Sequence, residues 1–150
     1  MEVVLRSARP SDAAAVAEVF LAAHAEAMPY LPEVHTDDET RIWSADFVLL
    51  RSEVVVAEIG DRLAGFAALD AELLDHLYVH PDLQRRGVGE ALLARAKELR
   101  PDGFRLWVFQ RNTDARHFDE RHGLRLVELT DGAGNEEREP DALYEWRPGA

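Results

Sequence analysis

The stretch Gln84-Arg85-Arg86-Gly87-Val88-Gly89 stands between a predicted strand that ends at Val79 and a predicted helix that begins near Gly87. Backbone amides at the start of a helix have no partner within the helix and favour an anion. The two glycines allow phosphate to approach the backbone without contacting a Cβ atom, while Arg85 and Arg86 add positive charge. This stretch therefore predicts a ligand that carries phosphate.

Two common nucleotide-binding loops do not match this stretch. No Lys-Ser or Lys-Thr pair follows Gly89, as a P-loop requires, and the glycine spacing is not that of the dinucleotide fingerprint. Neither ATP nor NAD is therefore the ligand that the stretch favours.

The apolar patterns on both sides of the stretch predict a mixed α/β domain. Strands are predicted over Val3–Ala8, Val54–Ala57, Leu63–Ala67, Leu73–Val79, Phe104–Phe109, Leu124–Leu129 and Leu143–Trp146. Helices are predicted from Pro10 through Phe20, from a capping box at Thr36 through Trp43, Phe47 and Leu50, from Gly87 to Leu99, and from Asn112 to Gly123. A hairpin turn at Gly60-Asp61-Arg62 and the consecutive strands around it make the first half of the sheet largely antiparallel.

Composition limits the class of protein and its partners. The 150 residues suit a single domain over 1–150, and the absence of cysteine excludes a thiol nucleophile, a disulfide framework and a cysteine-based zinc site. The net charge of -12 disfavours nucleic acid and anionic membrane surfaces as partners and favours a cationic or neutral substrate. The first ten residues contain no long apolar run, so we expect a soluble, cytoplasmic protein without a signal peptide.

The sequence resembles the GNAT superfamily of acyl-CoA-dependent N-acyltransferases, and its small bacterial members in particular. The pyrophosphate loop of that family reads Gln or Arg, two variable residues, Gly, one variable residue, then Gly or Ala, which Gln84 to Gly89 matches throughout. Leu77 to Pro81 looks like the family's fourth strand and its exit. The second signature of the family is matched by Asn112, Ala115, Phe118, Glu120, Gly123 and Leu124.

The resemblance implies a fold and a donor site. The fold is a GNAT-like α/β (α+β) architecture, a mostly antiparallel sheet of six to seven strands flanked by about four helices, with coenzyme A in the gap between the fourth and fifth strands. For the pantetheine arm of acetyl-CoA, the implied contacts are Leu77, Tyr78, Val79, Asn112 and Phe118. For its pyrophosphate, the implied contacts are Gln84, Arg85, Arg86, Gly87, Val88 and Gly89. A free amide of the strand would polarise the thioester carbonyl. A plain helix cap for Asn112 and a core position for Phe118 remain alternatives.

The acceptor amine must lose a proton before or during attack, because an alkylamine with a pKa of about 10 is mostly protonated at neutral pH. Asp75 is the first candidate for the general base, since strand alternation places it on the face of Leu77 and Val79. A strand cap or an ion pair with an arginine is the alternative role for Asp75.

Three further side chains are candidates for contact with the acceptor. His35, Glu136 and Glu137 lie in loops that we expect near the same cleft. Each could bind a cationic amine or relay a proton, and a solvated surface charge is the alternative for each of them.

Many members of the resembling family place a tyrosine after the phenylalanine of the second signature, where it protonates the departing thiolate. Asp119 stands at that position in this chain. An ionised carboxylate would repel the thiolate, so Asp119 is a poor general acid unless burial raises its pKa. A solvent-facing ion pair with Arg116 or Arg121 is the default expectation for Asp119, and Tyr144, Tyr78 or water could supply the proton instead.

The six histidines do not indicate a metal site. His76 and His80 are four residues apart on a predicted strand, hence roughly 13 Å apart, which is too far for one ion. His117 and His122 are five apart on a predicted helix and face different ways.

The predicted function is transfer of an acetyl group from acetyl-CoA to a primary amine of a small molecule or peptide. Direct attack in a ternary complex is expected, because the chain has no cysteine to carry a covalent thioester. Two other classes remain open: a non-catalytic acyl-CoA-binding or sensing module, which the missing tyrosine favours, and a protein-interaction domain with a decayed site. The resemblance also makes a homodimer an option.

Overall fold

The computed structural model describes residues 2–48, 50 and 53–149 of the chain. Within them a seven-stranded sheet has the order β1-β2-β3-β4-β5-β7-β6. The strands are β1 Val3–Ser7, β2 Glu53–Ile59, β3 Arg62–Asp70, β4 Leu73–Val79, β5 Phe104–Phe109, β6 Arg125–Leu129 and β7 Asp141–Trp146. All neighbouring pairs are antiparallel except β4 and β5, which are parallel. The predicted mostly antiparallel sheet is confirmed.

The helices of the described part are α1 Ala13–Ala27, α2 Asp37–Trp43, α3 Val88–Leu99 and α4 Thr113–Arg121. The predicted capping box before α2 forms, because the Thr36 hydroxyl accepts from the Glu39 amide at 3.1 Å and the Glu39 carboxylate accepts from the Thr36 amide at 3.0 Å. The chain then widens into a π-helical turn, Ser44–Val48. The predicted continuation to Leu50 crosses position 49, which lies outside the described residues. No helix in the described ranges is long and apolar enough to cross a membrane.

The sheet separates two apolar clusters. Val55 and Ala57 of β2 pack on one side with α3, while Val54 and Val56 pack on the other side with α1. Alternate residues of a strand face opposite sides of a sheet, so β2 is buried on both faces. Phe118 of α4 packs on the same side as α3, and these two helices therefore share one face.

Gly65 of β3 sets how closely α3 approaches the sheet. A Cβ atom at this position would lie 2.7 Å from the carbonyl oxygen of Tyr78 and 3.0 Å from a methyl group of Val88. A larger residue would push the start of α3 away from β4. The glycine therefore helps to place the loop before α3 directly beside the end of β4.

The strands β4 and β5 touch at one end only. Their pairing consists of Leu73 opposite Arg105, supported by a hydrogen bond of 2.9 Å from the Arg105 amide to the Glu72 carbonyl. On its other edge β5 pairs with β7 from Phe104 to Phe109. Because β5 stays with β7 while β4 stays with β3, the two strands separate beyond Leu73. This separation is the predicted gap between the fourth and fifth strands.

Candidate active site

The gap between β4 and β5 opens into a cavity of about 700 Å³ that extends to the start of α3 and along α4. The predicted site residues on its wall are Asp75, Leu77, Tyr78, Val79, Gln84, Arg85, Gly87, Val88, Gly89, Asn112 and Phe118. Arg86 is exposed and is not among the residues that line the cavity. The structure therefore brings the two sequence signatures together at one cavity.

The loop before α3 has the geometry of an anion cradle. Arg85 and Gly87 have φ angles of 63° and 81°, and α3 begins immediately after Gly87. The first hydrogen bond of the helix runs from the Ala91 amide to the Gly87 carbonyl at 3.0 Å, so the preceding amides have no acceptor within the helix. A Cβ atom on Gly87 would meet nothing within 4 Å. The space in front of these amides is open to a ligand.

The second glycine of the stretch serves packing instead. A Cβ atom on Gly89 would lie 3.4 Å from the ring of Phe118 and 3.8 Å from a methyl group of Val79. A Cβ atom on Gly89 would thus be in van der Waals contact with the protein, and the approach of phosphate to Gly89 stays a prediction. Its side-chain direction is occupied by Phe118, which joins α4 to α3 at the cavity wall.

The edge of β4 presents backbone groups to the gap. The His80 amide donates to the Ala64 carbonyl at 2.8 Å, and in an antiparallel pair the hydrogen-bonded positions alternate. The amides and carbonyls of Leu77 and Val79 consequently point away from β3 and toward β5, where the strands have separated. The amide group of Gln84 reaches the Val79 carbonyl at 3.4 Å. An extended ligand in the gap could pair with this edge as a further strand would.

Asp75 lies in a β-bulge that the sequence did not indicate. Consecutive residues of β3 pair with Leu74 and His76, so Asp75 has no partner in the register. Leu74 and Leu77 pack in the same apolar cluster although they are three residues apart. The simple alternation that placed Asp75 on the face of Leu77 and Val79 is therefore interrupted, because a bulge inserts one extra residue.

Asp75 has a raised pKa and no charged partner in the described part of the chain. Burial raises the pKa of Asp75, and the nearby charge of Asp70 raises it further. Within the described residues no hydrogen bond or ion pair engages the Asp75 carboxylate. Its side chain lines the cavity, which is the position that a general base requires, and the alternative of an arginine ion pair is not observed there.

His76, also on the cavity wall, is enclosed by aromatic rings. The ring centres of Trp43, Phe20 and Tyr78 lie 5.0, 5.9 and 6.0 Å from that of His76. Its Nδ1 atom is buried and has no hydrogen-bond partner in the described part of the chain. Burial lowers the pKa of His76 to about 4, so the ring is neutral near pH 7 and is a weak base. The sequence suggested no role for His76 other than a metal ligand, and no group of three metal-binding side chains occurs among the residues described.

The three acceptor candidates, His35, Glu136 and Glu137, differ in their contacts. His35 and Glu136 are joined by a hydrogen bond of 3.0 Å, and this contact raises the pKa of His35. Glu137 lies close enough to act on the cavity electrostatically: burial raises the pKa of Tyr78 to about 12, and the charge of Glu137 adds to that effect. Burial lowers the pKa of His24, and the charge of Glu137 acts in the opposite direction by raising it. None of the three candidates is among the residues that line the larger cavity.

A second cavity, of about 440 Å³, lies beside the first. It is lined by Trp107, Val108, Phe109, Thr130, Gly134, Asn135 and Asp141. The segment 107–109 of β5 lines both cavities. The loop that carries Glu136 and Glu137 therefore borders a space that adjoins the gap between β4 and β5.

Tyr144 does not reach the cavity. Its side chain is fully buried, and its hydroxyl donates to the Glu120 carboxylate at 2.5 Å and accepts from the Arg116 guanidinium at 3.1 Å. Burial is the main cause of the raised pKa of Tyr144, and the hydrogen bond to Glu120 raises it further. The expectation that Tyr144 could protonate the thiolate is not supported by this position, because its hydroxyl is engaged by Glu120 and Arg116 and does not line the cavity.

Asp119 is buried, with 6 % of its surface exposed, and it lines the larger cavity. The expected solvent-facing ion pair with Arg116 or Arg121 is therefore wrong. Burial raises the pKa of Asp119 to about 7, and the charge of Glu120 contributes. One signal in the sequence is that Asp119 stands four residues after Ala115, an apolar residue of the second signature, and so shares its face of α4.

The comparisons with known proteins agree with this architecture. Residues 51–125, half of the chain, match the family model described as an acetyltransferase (GNAT) domain. A curated relative, the peptidyl-lysine N-acetyltransferase YiaC of Escherichia coli, is 26 % identical over 126 residues, which cover 83 % of this chain and 85 % of the relative.

Two solved structures illustrate the likeness of the fold. The apo form of YjaB from Escherichia coli has a TM-score of 0.82 at 20 % identity and covers 100 % of both chains. The PaiA N-acetyltransferase of Thermoplasma acidophilum, solved in complex with coenzyme A, has a TM-score of 0.77 at 20 % identity and covers 98 % of this chain and 99 % of its own. The family match over half of the sequence, on a sheet that separates at β4 and β5, means that this chain belongs to the GNAT family of acetyltransferases.

Proposed function

We propose that this protein transfers an acetyl group from acetyl-CoA to a primary amine of a small molecule or peptide, by direct attack in a ternary complex. The observation that carries the proposal is the continuity of the larger cavity, which joins the open amides before α3 to the unpaired edge of β4. The first feature suits a diphosphate, and the second suits an extended chain of amides. Coenzyme A combines these two parts in one molecule.

The donor would be bound largely by backbone groups. The amides that follow Gly87 would face the pyrophosphate, with Arg85 on the cavity wall adding positive charge. The backbone groups of Leu77 and Val79 would pair with the pantetheine arm. The thioester would then lie near the bulge at Asp75, where an amide of β4 could donate to the carbonyl oxygen as negative charge develops on it.

The acceptor would enter from the side of the loop that carries Glu136 and Glu137. Trp107 to Phe109 border both cavities, so an amine in the smaller space could approach the thioester across the gap. Carboxylates at Glu26 and Asp75 on the wall and at Glu137 nearby favour a cationic group. The relative that acetylates peptidyl-lysine is consistent with a lysine side chain as one form of that amine.

Asp75 is the group that we assign to proton removal from the amine. Burial and the charge of Asp70 raise its pKa, which makes it a stronger base than an exposed aspartate. His76 beside it is neutral near pH 7, since burial lowers its pKa to about 4, and its ring is enclosed by aromatic side chains. After the amine attacks the carbonyl carbon, the carbon–sulfur bond breaks and coenzyme A leaves as a thiol or thiolate.

A thiol-release assay tests the proposal directly. The protein has no cysteine, so free coenzyme A can be detected with a thiol reagent without a signal from the enzyme. Polyamines, amino acids, aminoglycosides and lysine-containing peptides are offered with acetyl-CoA, and mass spectrometry identifies the acetylated product. Turnover with at least one amine supports the proposal. Saturable acetyl-CoA binding without turnover across the panel would indicate a non-catalytic acyl-CoA-binding module. If acetyl-CoA does not raise the melting temperature at all, both the enzyme and the binding module are excluded.

A further inference from the structure

The smaller cavity, of about 440 Å³, has two aromatic side chains of β5 in its wall, Trp107 and Phe109. They alternate along the strand with Leu106 and Val108, which pack with α3, so the two rings face the opposite side of the sheet. Neither ring belongs to an apolar cluster of the described residues, and no other ring contacts them there. Trp107 is 45 % exposed. The fold therefore leaves apolar ring surface uncovered at this cavity.

The polar side chains on the same wall are bonded to groups of their own loop. The Asp141 carboxylate accepts from the Thr130 hydroxyl and, at 3.1 Å, from the Asn135 side chain. The Asn135 side chain also donates to the Glu139 carbonyl at 2.8 Å and accepts from the Glu139 amide at 3.2 Å. The Thr130 hydroxyl accepts from the Gly132 amide at 3.1 Å. Because these groups already have partners, the wall offers a ligand mainly apolar surface.

The larger cavity supplies negative charge next to this apolar surface. Trp107 lines both cavities, and the larger one also contains the carboxyl groups of Asp75 and Glu26 in its wall. Asp75 and Trp107 each stand two residues beyond Leu73 and Arg105, the pair that joins β4 to β5. They consequently lie on opposite sides of the gap at a similar height along parallel strands. A ligand that spans the gap meets aromatic rings at one end and carboxyl groups at the other.

We propose that the acceptor is an amphipathic primary amine, whose apolar group occupies the smaller cavity against Trp107 and Phe109 while its amino group reaches toward Asp75. This inference rests on the proposed acetyl transfer and names the class of its acceptor. Trp107 is the residue that determines specificity, because it borders both parts of the ligand. An ammonium group within about 6 Å of an indole face is also attracted by the ring electrons.

The composition of the smaller cavity distinguishes this acceptor from a polyamine. Pockets for small ligands have volumes of roughly 300 to 1,000 Å³ and are lined mainly by apolar and aromatic side chains, as this one is. A second ammonium group placed there would lose water. It would find a carboxylate, that of Asp141, whose two oxygen atoms already accept hydrogen bonds. The cavity therefore favours an uncharged, apolar group.

The test compares hexylamine with cadaverine, a diamine of the same chain length in which an ammonium group replaces the terminal methyl group. After correction for the two equivalent amines of cadaverine, we expect kcat/KM for hexylamine to be higher by on the order of tenfold, because the smaller cavity favours apolar burial and disfavours loss of water from a charge. Release of coenzyme A measures both rates. A kcat/KM for cadaverine equal to or above that for hexylamine would overturn the proposal and would mean that the smaller cavity accepts a second cation.

Replacement of Trp107 tests its role in this preference. In Trp107→Ala we expect kcat/KM for hexylamine to fall about tenfold, mainly through a higher KM, and kcat/KM for ethylamine, which has little apolar surface, to fall far less. Trp107→Leu should restore part of the preference, and it decides the matter if Trp107→Ala fails to fold. Leu126→Ala is the matched control, since Leu126 is 44 % exposed and lines neither cavity. An equal loss for hexylamine and ethylamine would overturn the role of Trp107.

A binding measurement separates this inference from the proposed function. Tryptophan emission is recorded while hexylamine is added to the protein with coenzyme A, which carries no acetyl group to transfer. We expect a saturable change in wild type and the loss of most of it in Trp107→Phe, because the apolar group contacts that indole. No change, or the same change in both proteins, would overturn the amine site. A wild type that binds hexylamine in this way yet acetylates no amine would defeat the proposed function while supporting the amine site.

Discussion

The two sides of the gap between β4 and β5 are built in different ways. The proposed donor side consists of main-chain groups, the amides after Gly87 and the edge of β4, held by the packing of α3 against Gly65. The proposed acceptor side consists of loops tied by side chains, with Arg111 stacked 3.9 Å over Tyr30 and paired with Glu139 at 2.8 Å.

This difference has a physical consequence for specificity. Every polypeptide carries the same main-chain amides and carbonyls, so a site built from them depends on the backbone conformation and little on the side chains. The donor side can therefore stay the same while side chains elsewhere change. Loops that depend on exposed ion pairs contribute little stability and can vary in length and charge. We therefore expect the main-chain side of the gap to determine which acetyl donor binds. The loop side should determine which acceptor binds.

The largest expected effect concerns the open space over Gly87. Gly87→Ala and Gly87→Glu impose the same strain at a φ angle of 81°, but only the second places a carboxylate where phosphate would lie. Two like charges about 4 Å apart at a partly exposed site repel by a few kcal/mol, so we expect Gly87→Glu to bind acetyl-CoA about 100-fold more weakly than Gly87→Ala. Isothermal titration calorimetry measures the pair. Equal affinities for the two variants would mean that the anion lies elsewhere.

The next effect concerns Asp119 on the cavity wall and its contribution to the free energy of unfolding. Because burial raises its pKa in the folded state to about 7, folding retains a proton there that the unfolded chain releases near pH 4. The stability of the wild type relative to Asp119→Asn is therefore greatest at low pH and falls as pH rises through 7.

Urea unfolding at pH 5 and pH 8 checks this expectation. The stabilisation by Asp119→Asn should be larger at pH 8 than at pH 5 by on the order of 2 kcal/mol. Asp102→Asn serves as the surface control. If the difference in unfolding free energy between wild type and Asp119→Asn does not change with pH, Asp119 has an ordinary pKa. The destabilisation that we assign to its ionised form would then be wrong.

The smallest effect concerns the loop side. Glu137→Gln removes a charge that acts on Tyr78 and His24, so we expect the KM for a cationic amine to rise a few-fold while the Kd for acetyl-CoA stays the same. The effect should shrink at high salt, because exposed charges are screened. Glu136→Gln is the control, since the Glu136 carboxylate is already paired with the His35 ring at 3.0 Å. Identical KM values for both variants would place acceptor recognition elsewhere.

Several elements follow from local chemistry and were predictable. The strands Leu73–Val79 and Phe104–Phe109 have the predicted bounds, and the capping box at Thr36 and the cap of Asn112 on the Ala115 amide both form. These features depend on hydrophobic periodicity or on contacts within four residues. The anion cradle before α3 belongs to the same class, because a glycine at the start of a helix determines it locally.

Other parts of the site depend on contacts that are distant in sequence. The bulge at Asp75 arises from the register with β3, and nothing in the order of residues around Asp75 marks the extra position. The core position of Tyr144 depends on Arg116 and Glu120, which lie on another element. Tyr144 was expected at the cleft because these partners cannot be read from the sequence, whereas Asp75 does line the cavity although its register was not predictable.

By itself, the sequence determined that this chain forms a mixed sheet with a glycine-containing turn before a helix at Gln84 to Gly89, because periodicity and glycine placement act over a few residues. Only the tertiary structure decided that β4 and β5 separate, that Gly89 packs on Phe118 and that Asp119 is buried in the cavity wall. The reason is that burial, and with it the protonation of a carboxyl group, depends on which distant elements exclude water from it.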